Sequence, residues 1–235
     1  MLNFKKTGKG EKTLVFLHGW SKDLSSWDEV VDQLKDEYTC YALDLPGFGK
    51  SPLSRPYGLE DYAEDIKGFL VREKVSRAIL VGHSYGGRVA IKLASGKPEF
   101  LDKLILVDSA GIKSRSWKIK ILKFVTNFTP RDLKDGMRFL WPYVASEDYR
   151  GSFGLLRETM KKVVEEDLAP ALEKISAPTL IVWGESDHTT PLWMGRLMHE
   201  GIRGSKLVII PGGDHGVPYR RSKEVAKTIS EFLHD

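Results

Sequence analysis

The chain has a single cysteine, Cys40, in 235 residues. An intrachain disulfide and a cysteine-based zinc site are therefore excluded. Long apolar runs are missing as well. The longest, such as 104–107 and 207–210, fall far short of the roughly 18 residues that a membrane span needs. Charge of one sign is scarce: 36 basic against 32 acidic residues leave a net charge of only +4. That balance favours solubility and argues against nucleic acid as a partner, because nucleic-acid binders carry a strong basic stripe on a recognisable module. There is no internal repeat and no low-complexity tract. Residues 1–12 are polar, Lys-rich and glycine-punctuated, unlike a signal segment, so the expected address is the cytoplasm. With 41% hydrophobic and 29% charged residues, the composition excludes a disordered chain, a collagen-like chain and a coiled coil.

Short apolar runs alternate with longer segments of helical period, a pattern of βαβ units around a parallel sheet. Strands are expected at 13–17, 39–43, 78–81, 103–107, 179–183 and 206–210. Helices are expected at 26–37, 59–73, 84–95, 191–200 and 222–233. Between about 111 and 177 no strand is visible. That stretch holds helix-like segments separated by Pro130, Pro142 and Pro170. A structureless loop of such length does not suit a compact domain. The expected organisation is one α/β core, 1–110 and 177–235, with a helical cap, 111–176, inserted between two late strands.

The motif with the most chemistry is Gly82-His83-Ser84-Tyr85-Gly86-Gly87, which matches G-x-S-x-G. It follows the strand at 78–81 and precedes a helix, the context that a nucleophile elbow requires. A serine on a tight strand-to-helix turn adopts a strained backbone, so Gly82 and Gly86 supply small neighbours. The turn aims the hydroxyl above the sheet, beside the N–H groups of the helix start.

Here the sequence resembles the α/β-hydrolase superfamily, and four further segments agree in order. His18-Gly19-Trp20 follows the first clear strand, where the family carries its oxyanion loop. The run Asp44-Leu45-Pro46-Gly47-Phe48-Gly49-Lys50-Ser51 resembles the D-x-P-G-x-G-x-S segment. Trp183-Gly184-Glu185-Ser186-Asp187 resembles the segment that carries the family acid, and Gly212-Gly213-Asp214-His215-Gly216 the turn that carries its histidine. The resemblance implies the α/β-hydrolase fold, a mostly parallel sheet flanked by helices.

A serine hydroxyl is a weak nucleophile near neutral pH and needs a base held in one tautomer. Of six histidines, His215 sits on a glycine-rich loop past a late strand, at the edge where sites of open parallel sheets collect. His18 is expected to brace its loop. His83 is expected to point away from Ser84. His188 directly follows the candidate acid Asp187, His199 lies in an expected helix with no motif around it, and His234 is at the chain terminus. Asp187 follows a strand at the same edge, and Ser84, Asp187, His215 is the chain order expected of this fold. Asp108 is the rival acid, at the end of the strand 103–107. Asp44 fits a loop-bracing role, and Asp214 is too close to His215 in sequence to orient it. The oxyanion hole is expected from the backbone N–H of Tyr85, after the nucleophile, and of Trp20, the family-matched position.

The segment 112–131 holds six basic and no acidic residues, among them Lys118, Lys120 and Lys123. Trp117, Ile121, Phe124, Val125 and Phe128 fall at helical spacing within it. Such a helix can lie on an anionic membrane; the reading preferred here is a cap helix over the site. With Trp20, Tyr85, Trp141 and Met160 it gives an apolar pocket suited to a small or medium hydrophobic acyl group. The expected function is a serine hydrolase, a carboxylesterase on a small-molecule ester. No cofactor and no metal are expected, and a monomer or homodimer is expected. Alternatives on the same fold are a thioesterase, a lipase, a carbon–carbon bond hydrolase, an acyltransferase and a non-catalytic binding protein. His83 departs from the Asn that relatives cleaving carbon–carbon bonds carry before the serine. Ser84 departs from the Asp nucleophile of dehalogenating relatives.

Overall fold

The computed structural model describes residues 1–113 and 153–235. Among these, seven strands form one sheet: β1 (Phe4–Thr7), β2 (Thr13–Leu17), β3 (Thr39–Leu43), β4 (Ala78–His83), β5 (Leu101–Val107), β6 (Thr179–Gly184) and β7 (Lys206–Ile210). Their order is β1-β3-β2-β4-β5-β6-β7. All pairs are parallel except β1 with β3. From β2 the chain steps outward to β3, then returns across β2 to β4. The order reverses there, and in open α/β sheets such a reversal leaves a crevice at the carboxyl ends of the strands.

The central strands read as continuous apolar runs because both their faces are covered. Val15, Leu17, Leu80, Leu104, Leu106 and Ile181 face one core. Leu14, Phe16, Ile79, Val81, Ile105 and Val107 face the other. This is the two-residue period of a pleated strand. The first core is closed by α2 (Leu59–Arg72), α3 (Tyr85–Ser95) and α5 (Leu192–Gly201). The second is closed by α1 (Asp28–Leu34) and α7 (Ser222–His234). Two further α-helices are α4 (Gly154–Glu165) and the single turn α6 (Val217–Arg220), and a 3-10 helix spans Ala169–Lys174.

The structure adds β1, whose Phe-Lys-Lys-Thr sequence has no strand-like alternation. The helix expected at 26–37 is shorter: a 3-10 turn, Leu24–Trp27, capped by the Asp23 side chain on Ser25 N, leads into α1, which ends at Leu34. Residues 153–176 pack on the core. Met160 and Val163 are buried in it, and Thr159 Oγ1 accepts from Tyr57 N at 2.9 Å. Arg88 of α3 donates to the carbonyls of Val163 and Glu166, satisfying orphan acceptors at the C-terminal end of α4. Leu168 N donates to Gly111 O at 3.0 Å. Among the described residues no helix is long and apolar enough to cross a membrane.

Candidate active site

The elbow forms because its neighbours cannot carry side chains. A Cβ on Gly86 would lie 2.2 Å from the carbonyl oxygen of Leu17, and one on Gly82 2.6 Å from that of Gly86. With β2, β4 and the start of α3 this close, Ser84 is held at φ 50, ψ −113. A non-glycine residue there is strained, and the surrounding structure must over-determine it. It does: Ser84 N donates to Val107 O at 3.1 Å, and Ser84 O accepts from Ala110 N at 2.9 Å and Arg88 N at 3.1 Å.

His215 follows β7 on the turn into α6, and Asp187 follows β6. Main-chain bonds join the two loops: Ser186 N to Gly213 O at 2.7 Å and Glu185 N to Ile210 O at 3.1 Å. Ser84 Oγ lies 3.0 Å from His215 Nε2, and His215 Nδ1 lies 2.7 Å from Asp187 Oδ2. With Nδ1–H donating to the carboxylate, Nε2 keeps a lone pair to accept the serine proton. Asp187 is nearly inaccessible. Burial raises its pKa, but hydrogen bonds from His215 and Thr190 and the nearby imidazole outweigh that and leave it below the usual carboxyl range. The backbone N–H groups of Thr189 and Thr190 donate to Oδ1 at 2.7 and 2.9 Å. Thr190 Oγ1 lies 2.7 Å from Oδ2.

The rival acid, Asp108, sits beside this group without contacting the ring. Its Oδ1 accepts from Gly184 N at 2.7 Å, whereas Oδ2 has no hydrogen-bond partner among the described residues. Complete burial pushes its pKa up to about 7. Asp108, His83 and His215 place polar atoms within 4.8 Å of one another, the candidate metal-binding group among the described residues. In the tautomer described, the one ring lone pair of His215, on Nε2, is directed at Ser84 Oγ, 3.0 Å away.

His18 and Asp44 hold the neighbouring loops. His18 Nδ1–H donates to Gly19 O at 2.7 Å and Nε2 accepts from Leu45 N at 3.0 Å. Asp44 accepts from Leu24 N, Lys50 N and Asn3 Nδ2 at 2.7–2.8 Å. Gly19 lies against the elbow: its Cβ would stand 3.5 Å from Ser84 Cβ. The side chains of Trp20 and Tyr85 are buried edge-to-face, with centroids 4.9 Å apart, and Phe48 meets Trp20 edge-to-face at 4.8 Å. Met160 is buried in the same core. Trp117, Phe124 and Trp141 lie outside the described residues. Asp214 turns away from His215 to pair with Arg220 and cap Gly216 N. Sequence reasoning missed Thr190. Its signal was local: Thr at the second and third positions after Asp187 is the pattern of an aspartate side chain capping its own turn.

With fold and geometry together, the class is clear, and the family model agrees: residues 14–228 match the alpha/beta hydrolase family. The chain belongs to that family. It is similar to the uncharacterized hydrolase YugF of Bacillus subtilis, at 30% identity over 95% of this chain and 90% of the relative. It is 29% identical to a pimeloyl-[acyl-carrier protein] methyl ester esterase of Nitrosomonas europaea, over 91% and 92%. Among solved structures, a bromoperoxidase from Bacillus anthracis superposes with a TM-score of 0.79 at 26% identity, covering all of this chain and 95% of that one.

Proposed function

We propose that this protein is a serine hydrolase that cleaves carboxylic esters of small to medium hydrophobic acyl groups. The observation that carries the reading is the pair of contacts on His215, 3.0 Å to Ser84 Oγ and 2.7 Å to Asp187 Oδ2. Ser84 attacks the ester carbonyl as its proton passes to His215 Nε2. Asp187 holds the ring in its tautomer and stabilises the imidazolium. The backbone N–H groups of Trp20 and Tyr85 receive the oxyanion, each worth on the order of 3 kcal/mol in the transition state. His215 returns the proton to the departing alcohol and leaves an acyl-Ser84. It then takes a proton from water, and the hydroxide releases the acid. The single thiol does not compete as nucleophile, because burial pushes Cys40 up to about 12.

The esterase named among the relatives supports an ester as substrate. The segment 111–176 acts in this reading as a cap whose apolar residues, Trp117, Phe124 and Trp141 included, size the acyl pocket. The protein works in the cytoplasm on a small-molecule ester, without cofactor or metal. The test is hydrolysis of p-nitrophenyl esters from acetate to palmitate by the wild type beside Ser84→Ala. The reading expects turnover at short and medium chains that vanishes in the variant. A folded protein inert at every length overturns it.

A further inference from the structure

We propose that His83 is a positioning residue for the base: its ring fixes the distance between the loop of His215 and the nucleophile that follows it in the chain. The proposal rests on the reading of Ser84 and His215 as nucleophile and base. His83 ends β4 and is 3% exposed. Its Nε2–H donates to the backbone carbonyl of His215 at 2.9 Å, across 132 positions of sequence. The two rings lie 4.9 Å apart at 42°. Trp27 at 6.3 Å and Tyr219 at 6.0 Å meet the His83 ring edge-on, both at 88°. On another side the ring abuts the oxyanion loop, for a Cβ on Gly19 would stand 3.0 Å from Nδ1. One side chain thus touches the loop of the base, the loop of the proposed oxyanion donor and the elbow itself.

The loop that takes this restraint is rich in glycine. It carries Gly212, Gly213 and Gly216 around His215, and glycine leaves the backbone the most freedom of any residue. Its main-chain bonds to the acid loop end at Gly213, two residues short of the ring that must meet Ser84. The His83 bond lands on His215 itself. Burial keeps the His83 ring uncharged, with its pKa lowered to about 3. It therefore stays a one-proton donor as His215 gains and loses charge through the cycle, and it places no competing cation beside the imidazolium.

The geometry points to a reach requirement. A glutamine at 83 carries its side-chain N–H about as far from Cα as Nε2, and an asparagine falls one bond short. The experiment compares H83Q, H83N and H83F with the wild type and S84A on the best p-nitrophenyl ester of the series. H83Q is expected within about threefold of the wild type in kcat. H83N and H83F are expected to lose on the order of 10²-fold in kcat with KM nearly unchanged, as for a misplaced catalytic group. Rescue by Gln but not by Asn is a result that mere packing would not give. Where H83F fails to fold, the Gln–Asn pair decides alone. Equal kcat in those two variants, or a loss confined to KM, overturns the proposal. Wild-type activity abolished in S84A together with an unimpaired H83N overturns it while leaving the serine reading intact. Activity that survives in S84A overturns both.

Discussion

Replacing Asp108 with Asn tests the electrostatics of the site through stability. Asp108 is fully buried, and one of its oxygens lacks a hydrogen-bond partner among the described residues. Burial raises its pKa from the ordinary 3.8 to about 7. Because the folded value lies above the unfolded one, its contribution to stability is greatest below pH 3.8 and is lost as pH rises through about 7. The interval spans roughly three decades of proton concentration at about 1.4 kcal/mol each, so ionising Asp108 costs the fold about 4 kcal/mol in all. Between pH 5 and 8 the share still to be lost is about 3 kcal/mol. Asn keeps the acceptor for Gly184 N and does not titrate. Urea unfolding of the wild type and Asp108→Asn at pH 5, 6, 7 and 8 isolates this group, since all others titrate in both proteins. The variant should gain on the wild type by about 3 kcal/mol across that range. A stability difference that stays flat with pH refutes the reasoning.

Asp187→Asn preserves shape but loses the charge that fixes the His215 tautomer, and kcat should fall on the order of 10⁴-fold with KM little changed; a loss below tenfold in steady-state assays would give the orienting role to another group. Thr190→Val removes the hydroxyl 2.7 Å from Asp187 Oδ2 and should cost about 1–3 kcal/mol of stability, read by urea unfolding. Gly86→Ala drives a methyl into the Leu17 carbonyl; it should cost about 3 kcal/mol or more, and a wild-type melting temperature would contradict the elbow geometry. Arg88→Leu leaves the Val163 and Glu166 carbonyls without their donor. About 1–3 kcal/mol should be lost per buried carbonyl left unpaired, again by urea unfolding.

What could be read from the sequence followed physical necessity. The interior strands β2 and β3 have the bounds that their apolar runs suggest, because strands covered on both faces admit little else. Ser84 was legible because the elbow forces glycine at two neighbours at once. Asp187 and His215 were legible because each follows a strand at the edge where the sheet order places a crevice. The edge strand β1 was not, since its exposed residues alternate with nothing and its pairing partner is set by tertiary structure. The clamp by His83 was hidden for a similar reason. Its partner lies across loops, and no periodicity or motif encodes a side chain reaching a carbonyl 132 residues away. Asp108 and Asp187 were both plausible acids in the sequence, and only the distances to His215 distinguish them.

The most direct test of the central claim is covalent labelling with a fluorophosphonate, followed by peptide mass spectrometry. The account predicts one adduct per chain on Ser84, absent in Ser84→Ala and slowed in Asp187→Asn. A folded wild-type protein that takes no label, or takes it on another residue, would contradict the assignment of Ser84 as the nucleophile.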